Sequence, residues 1–192
     1  MRTSIHRHFV LFKPYGYVSQ FISNEPRSYK KKFLGELYNF PLGTMSIGRL
    51  DEKSEGLLLL TTDGKISNEI TGTKVEKEYY VQVDGSITLE GINYLKNGIE
   101  ISVEGEKYIT KPCNASEIDI PKLPERGRKI RDERHGPTSW LTITLTEGKF
   151  RQVRKMTAAI GFPTLRLVRV RVGTIKLNQM QPGEVIELEQ LI

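Results

Sequence analysis

Cysteine and histidine are scarce in this chain, whose 192 residues include one cysteine and three histidines. A single cysteine, Cys113, cannot form an intramolecular disulfide, and it also excludes a structural zinc site of the usual thiolate type. His6, His8 and His135 are not spaced as metal ligands, so we predict a surface or structural role for each. The residue types therefore give no sign of a metal-ligand cluster.

Long apolar runs and phosphate-binding loops are absent as well. No apolar run approaches the roughly 18 residues of a membrane helix. The first apolar run, Phe9–Phe12, is too short for a signal peptide, so we expect a cytoplasmic protein. A Gly-x-x-x-x-Gly-Lys-Ser/Thr loop is missing, and the acids near Asp51 are not spaced as a magnesium site. These absences argue against a phosphotransferase or a metal-dependent hydrolase.

Basic residues exceed acidic ones, and the formal net charge is +6. The excess is concentrated between Glu147 and Lys176, where Glu147 is the one acid. Arginine suits phosphate recognition because its planar guanidinium presents several donors. The segment therefore predicts a nucleic-acid partner, although a solvated basic face is the alternative. Its eight basic residues are Lys149, Arg151, Arg154, Lys155, Arg166, Arg169, Arg171 and Lys176.

Strand-like segments outnumber helix-like ones and do not alternate with them regularly, which predicts an α+β fold with a mixed, mostly antiparallel sheet. The predicted strands are Phe9–Phe12, Gly16–Phe21, Leu57–Thr61, Tyr79–Val83, Lys107–Pro112, Ser139–Leu145, Leu165–Val172 and Glu184–Leu188. The predicted helices begin after Asp63, after Thr88 and at Phe150, and a fourth is suggested by Phe33, Leu34 and Leu37.

A long polar segment, residues 121–137, is bounded by prolines and rich in arginine and lysine. It is predicted to be an exposed basic loop. Long irregular loops are commonly binding loops, lids or disordered segments. A loop facing RNA or DNA and a tolerated surface insertion are both consistent with its composition.

Asp51 lies in a polar turn directly before a continuous apolar run, and Arg49 precedes it by two residues. A carboxylate held at the mouth of a buried strand is a candidate nucleophile. The alternative is a polar hairpin that enters a core strand. Two further features accompany it. Lys13 begins a stiff Pro-Gly-containing turn, and Tyr79 and Tyr80 must point to opposite faces of one strand.

These features, in this order, resemble the pseudouridine synthases of the small- and large-subunit rRNA type. The matching segments are KPYG (residues 13–16), GRLDEKSEGLLLLTTDG (48–64), KEY (77–79), GKFRQVRKM (148–156) and LVRVRVG (167–173). The resemblance covers nearly the whole chain, and the second segment is long and specific. Residues 137–145 and 161–167 further resemble the E-type enzyme that acts on 23S rRNA.

The resemblance implies a fold and a reaction. We expect one catalytic domain over residues 1–192, with two lobes flanking a central cleft, and no N-terminal domain of the S4 type. The reaction is the isomerisation of a uridine to pseudouridine, and it implies no cofactor. The expected partner is 23S rRNA, bound by a monomer. A synthase acting on 16S rRNA or tRNA, and a non-catalytic RNA-binding or ribosome-assembly protein on the same fold, are the alternatives.

The resemblance also implies residue roles. Asp51 is the expected nucleophile, and Arg154 the cation that keeps it ionised despite burial. Tyr79 is expected to stack on the target base, Leu167 to lie under it, and Arg49 to hold the phosphate of the flipped nucleotide. Phosphate contacts are expected for Arg151 and Lys155. Lys13 either supports the active-site turn or contacts RNA.

Overall fold

A nine-stranded mixed sheet runs through the molecule. The structure, a computed structural model, describes residues 6–22, 30–72 and 75–191. Within those ranges it contains thirteen strands and three α-helices. The strands are β1 His8–Lys13, β2 Tyr17–Val18, β3 Lys32–Phe33, β4 Met45–Ile47, β5 Glu55–Thr61, β6 Lys77–Asp84, β7 Glu100–Val103, β8 Glu106–Ile109, β9 Asn114–Ile118, β10 Thr138–Leu145, β11 Thr164–Val172, β12 Ile175–Lys176 and β13 Val185–Leu188. The helices are α1 Gly64–Gly72, α2 Leu89–Asn97 and α3 Gln152–Ala159.

The sheet order confirms the predicted mixed, mostly antiparallel α+β fold. Its strands follow the order β13-β1-β5-β11-β6-β10-β9, with β4 beside β5 and β12 beside β11. Among the strand pairs described for this sheet, β5 and β11 alone run parallel. Their pairing is short and joins Glu55 to Val168 and Gly56 to Arg169. This junction divides the sheet into two halves, and Asp51 lies four residues before it in the chain.

Gly56 lets the two halves approach closely. A methyl group at this position would lie 2.7 Å from the Arg169 nitrogen and 2.9 Å from Cγ1 of Val168, and closer still to the Arg169 carbonyl oxygen. The backbone of Gly56 also has a φ of 102°, in the left-handed range that residues with a Cβ rarely adopt. Only glycine therefore satisfies both the spacing and the conformation.

The core covers both faces of β5. All seven residues of this strand are buried, as expected for a strand packed on both faces. Leu57 and Leu59 belong to one cluster with Val10, whereas Leu58 and Leu60 belong to another. A third cluster fills the half formed by β6, β10 and β11, where α2 and α3 pack against the strands. The leucine run of the sequence is thus shared between two opposite cores.

The predicted helices at Asp63, Thr88 and Phe150 are confirmed as α1, α2 and α3, although α3 begins at Gln152, and the fourth needs a correction. Thr88 caps α2 by accepting a hydrogen bond from the Gly91 nitrogen at 3.1 Å. The segment around Leu34 is wrong as an α-helix: it is a single 3-10 turn, Leu34–Glu36. Three residues do not reach the length at which an isolated helix becomes favourable. Within the ranges described, no helix is long and apolar enough to cross a membrane.

Several strand boundaries also differ from the predictions. The predicted strand Gly16–Phe21 shortens to two residues, and Lys107–Pro112 ends at Ile109. Strands β7 and β9 were not predicted because their sequences, EISV and NASEI, are short and contain only two apolar residues each. β9 forms the outer edge of the sheet, a position where polar side chains are common.

The segment 121–137 is only partly the exposed loop that its sequence predicts. Residues 127–129 and 134–137 are exposed. Leu123, however, packs against the core cluster of β1 and β5, and Arg166 donates a hydrogen bond to the Pro124 carbonyl at 2.8 Å. A 3-10 turn, Glu133–His135, precedes β10. The first part of the segment is thus attached to the sheet.

Replacing Gly56 with alanine tests the role of the junction. We expect Gly56→Ala to lower the free energy of unfolding by at least about 3 kcal/mol, because it combines overpacking with an unfavourable φ. Urea denaturation followed by circular dichroism measures this change. Gly64→Ala is the matched control, since a methyl group there meets no atom within 4 Å. Equal stability of the two variants would contradict the proposed constraint.

Candidate active site

Asp51 is fixed at the entrance to β5 by backbone contacts on both sides. Leu50 is buried, and its nitrogen and carbonyl both bond to the Ser19 hydroxyl, at 2.9 and 2.8 Å. The Ser54 nitrogen donates to the Asp51 carbonyl at 3.0 Å, which closes a tight turn. The Asp51 side chain is 23% exposed. Its carboxylate is therefore held in place but remains accessible.

Two arginines of the α3 region face this carboxylate. Nη1 of Arg151 lies 3.5 Å from Oδ2 of Asp51, and Nε of Arg154 lies 4.0 Å from the same oxygen. The Arg151 side chain is 39% exposed, whereas that of Arg154 is 11% exposed. The structure thus brings Arg154 to Asp51 as predicted, and it adds Arg151 as a second, more exposed cation.

Arg154 also joins the Asp51 turn to α3. Its Nη2 donates to the Lys53 carbonyl at 2.8 Å, and Nη1 lies 3.5 Å from the Thr164 carbonyl. Burial lowers the pKa of Arg154, and the nearby charge of Arg151 lowers it further, while Asp51 acts in the opposite direction. Its Nε is buried without a hydrogen-bond partner. This N–H is available to a carboxylate that moves slightly closer.

Arg151 adopts a strained backbone conformation. It precedes α3 with a φ of 54° and a ψ of 32°, in the left-handed region. Such a conformation costs a non-glycine residue roughly 1–3 kcal/mol and is concentrated at functional sites. In this backbone conformation the Arg151 side chain lies beside Asp51.

A cleft opens beside Asp51 and carries the apolar and aromatic groups expected there. Tyr79 of β6 and Leu167 of β11 line it together with Arg49 and Arg151. Tyr80 lines a separate pocket with Glu78 and Arg171, so the two tyrosines do face opposite sides of the sheet as predicted. Tyr79 packs against the cores of both halves. The cleft is thus formed where the two halves of the sheet meet.

Lys13 lies outside the cleft and is fully buried. Its Nζ donates to the carbonyls of Pro14 and Tyr17, at 3.0 and 2.6 Å. Burial lowers its pKa to about 7, against the opposing effect of Glu55, Asp51 and Glu52. Of the two roles expected for Lys13, these contacts favour support of the turn over contact with RNA.

The remaining predicted residues lie around the cleft. Arg49 is exposed on its rim and also lines a neighbouring groove. Lys155 is partly buried, and its Nζ lies 5.4 Å from the ring centre of Phe150. It does not line the cleft itself. Arg49 thus borders the cleft, whereas Lys155 lies outside its lining.

The sequence analysis did not predict a buried ion pair behind the site. Glu55 accepts two hydrogen bonds from Arg166, at 2.9 and 3.2 Å, and both side chains are nearly inaccessible. A signal was present, since Glu55 directly precedes an apolar run and Arg166 lies between two leucines. Opposite charges in two buried strands predict a pair if the strands are adjacent, but adjacency is not readable from one sequence.

A polar cluster at the cleft wall was missed as well. Glu147 accepts hydrogen bonds from Tyr108 and Gln152, each at 2.5 Å, and from the Lys111 nitrogen at 2.9 Å. Gln152 in turn accepts from the Lys149 nitrogen at 2.9 Å. This cluster fixes the start of α3 and hence the two arginines beside Asp51.

Comparison with known proteins identifies the family of the chain. The sequence profile described as RNA pseudouridylate synthase matches residues 7–159. The chain belongs to this enzyme family. The Asp51 turn, Tyr79 and Arg154 all lie within the matched region. The predicted resemblance to RNA pseudouridine synthases is therefore confirmed.

Individual relatives point to the same family. Ribosomal large subunit pseudouridine synthase E of Vibrio parahaemolyticus is 41% identical over 187 residues, which are 96% of this chain and 75% of the relative. A protein of the same name from Xanthomonas campestris pathovar campestris is 40% identical over 178 residues, 91% of each chain. A crystal structure described as pseudouridylate synthase matches with a TM-score of 0.73 and 29% identity, covering 95% of this pseudouridine synthase and 70% of that chain.

The buried lysine predicts a pH dependence of stability. The folded state binds the Lys13 proton less tightly than the unfolded chain, in which the pKa is 10.5. The stabilisation from the neutral amine is therefore full above pH 10.5 and lost as the pH falls to about 7. As the pH rises from about 7 to 10.5, the free energy of unfolding of the wild type should therefore increase relative to that of Lys13→Met. The increase should be up to about 1.4 kcal/mol per pH unit.

Urea denaturation of both proteins between pH 6 and pH 9.5 measures this difference. Lys129→Met removes an exposed lysine and controls for the loss of one charge. If both variants differed from the wild type by a pH-independent amount, Lys13 would not be buried as a neutral amine.

Proposed function

We propose that this enzyme converts a uridine of 23S rRNA to pseudouridine, with Asp51 as the nucleophile. The observation that carries the proposal is the position of the Asp51 carboxylate. It lies at the mouth of the cleft, within 4.0 Å of two guanidinium groups and beside an aromatic and an apolar wall. Such a site suits a planar, flipped-out base next to a negatively charged nucleophile.

The reaction moves the ribose from one atom of uracil to another. The bond between N1 and C1′ breaks, the bond between C5 and C1′ forms, and the C5 proton is lost while N1 gains one. Asp51 attacks either the base or C1′, and both routes need the carboxylate in nearly the same place. The balance is an isomerisation, and we propose that it needs no cofactor.

The neighbouring residues supply orientation and charge in this proposal. Tyr79 stacks on the base and helps to remove the C5 proton, and Leu167 forms the apolar surface beneath it. Arg154 is the electrostatic partner of the Asp51 carboxylate, and its guanidinium is largely shielded from water. Arg49, Arg151 and Lys155 bind phosphates around the flipped nucleotide.

Ribosomal RNA is the proposed substrate because two independent features favour it. The relatives with 40–41% identity are named for the large ribosomal subunit. The exposed basic residues near the cleft match a phosphate backbone, which sets much of the affinity for RNA. Asp51, Tyr79, Arg154 and Leu167 come from one chain, so a monomer suffices. Its action on rRNA would place the enzyme in the cytoplasm.

Loss of the carboxylate should abolish the reaction. Asp51→Asn keeps the size of the side chain but removes its charge, so we expect no product and unchanged RNA affinity. The assay uses 23S rRNA transcribed with uridine tritiated at C5, because tritium is released when C5 bonds to the ribose. Asp119→Asn, an exposed acid outside the cleft, is the control and should release tritium like the wild type.

The assay separates the alternatives. Release from 16S rRNA or tRNA, but not from 23S rRNA, would keep the enzyme and overturn the substrate. Binding of RNA without release by the wild type would favour a non-catalytic RNA-binding protein. Release by Asp51→Asn at the wild-type rate would remove Asp51 from the mechanism.

The two arginines beside Asp51 should differ in their effects. Arg154→Met should slow the single-turnover rate by about 100-fold or more, because Asp51 loses a group that holds its carboxylate in place, and a misplacement of about 1 Å can have an effect of this size. Arg151→Met should mainly weaken RNA binding. It should also reduce the slope of log affinity against log salt concentration by the amount of about one phosphate contact. Rate constants at saturating enzyme and filter binding at several salt concentrations measure both. The reverse pattern would exchange their roles.

A further inference from the structure

Arg126, in the segment 121–137, makes contacts that exposed loop arginines do not usually make. Its guanidinium carbon lies 3.9 Å from the ring centre of Tyr15, and its Nε lies 3.5 Å from Oε2 of Glu55. Its Nη1 donates to the Leu165 carbonyl at 3.4 Å. The side chain is 11% exposed, and that of Glu55 is 2% exposed. Arg126 is thus held between a ring and a buried carboxylate.

The residues that hold Arg126 are attached to the Asp51 turn. Tyr15 belongs to the turn that follows β1, and the next residue, Gly16, donates its N–H to the Glu52 carbonyl at 2.8 Å. Glu52 directly follows Asp51. Glu55 begins β5 and is fixed by Arg166. A displacement of Arg126 would therefore act on both ends of the Asp51 turn.

Arg126 also lies close to the catalytic charges. Besides burial, its positive charge is one of the influences that lower the pKa of Arg154. The stack on Tyr15 is the kind of contact that arginine forms well, because its guanidinium is planar and weakly hydrated. A lysine at position 126 would keep the positive charge but would lack the planar guanidinium that faces both Glu55 and the Leu165 carbonyl.

We propose that Arg126 is a positioning residue, which joins the RNA-facing loop 127–137 to the turn that carries Asp51. The contacts of Arg126 with Tyr15 and Glu55 then help to set the place of the nucleophile, whereas the exposed arginines of the loop add affinity. The inference rests on the proposed function, since it assumes that RNA binds and that Asp51 reacts. It differs from a role as a phosphate contact because the Arg126 side chain is only 11% exposed and packs between Tyr15 and Glu55.

The test separates binding from chemistry in purified full-length variants. Arg126→Met keeps most of the aliphatic stem but removes the guanidinium. We expect its single-turnover tritium release from 23S rRNA to fall roughly 10- to 100-fold, since small displacements of reacting groups have effects of this size. RNA affinity should change little. Arg128→Met, the same substitution at an exposed loop arginine, should weaken binding and leave the rate at saturation unchanged.

Tyr15 supplies a second variant that leaves the pair of Glu55 and Arg166 intact. Tyr15→Leu removes the ring and should slow the rate like Arg126→Met, whereas Tyr15→Phe keeps the ring and should restore most of the loss. The double variant Arg126→Met/Tyr15→Leu should be no slower than the slower single variant, because both break one contact. Circular dichroism under the assay conditions confirms that each variant is folded.

Several outcomes would overturn the proposal. These are wild-type rates at saturation for Arg126→Met or for Tyr15→Leu, additive losses in the double variant, or a loss of affinity alone, as expected for Arg128→Met. Failure of the wild type itself to release tritium would instead overturn the proposed function. The two failures are therefore distinguishable within one set of measurements.

Discussion

The rest of the site depends on the close backbone contact between β5 and β11. It joins the two halves of the sheet through a short parallel pairing, and it requires glycine at position 56. The cleft lies where the halves meet, with Asp51 entering from one side and Tyr79 and Leu167 from the other. A wider spacing would separate the carboxylate from the residues that we propose hold the base.

The buried ion pair at this junction contributes more to the alignment of β5 and β11 than to the free energy of folding. Glu55 and Arg166 form an ion pair with little solvent access, and the desolvation of such a pair offsets much of its attraction. Its bidentate geometry, however, fixes the relative position of the two strands. Arg126 adds a third charge to the same carboxylate. The pair thus aligns the strands that carry the site and gives the basic loop a point of attachment.

The sequence allowed the fold class, most strands and the central site to be predicted, because their signals are local. Asp51 before an apolar run, the alternation of Tyr79 and Tyr80 and the helix after Thr88 all depend on neighbouring residues. Arg154 was assigned through the family resemblance. Strands β7 and β9 were missed because they are short and carry few apolar residues, and the Leu34 segment was too short for a helix. Arg126, Tyr15 and Glu55 were missed because their contacts join residues far apart in the sequence.

The two arginines next to Asp51 differ in burial, and this difference suits them to different roles. Arg151 and Arg154 are three residues apart and face the same oxygen, yet one is 39% exposed and the other 11%. An exposed cation is screened by salt and exchanges readily with solvent, which suits a reversible phosphate contact. A shielded cation keeps its effect on a neighbouring carboxylate when salt concentration changes. The difference in burial therefore suits the roles that we propose for the two arginines, a phosphate contact for Arg151 and an electrostatic partner of Asp51 for Arg154.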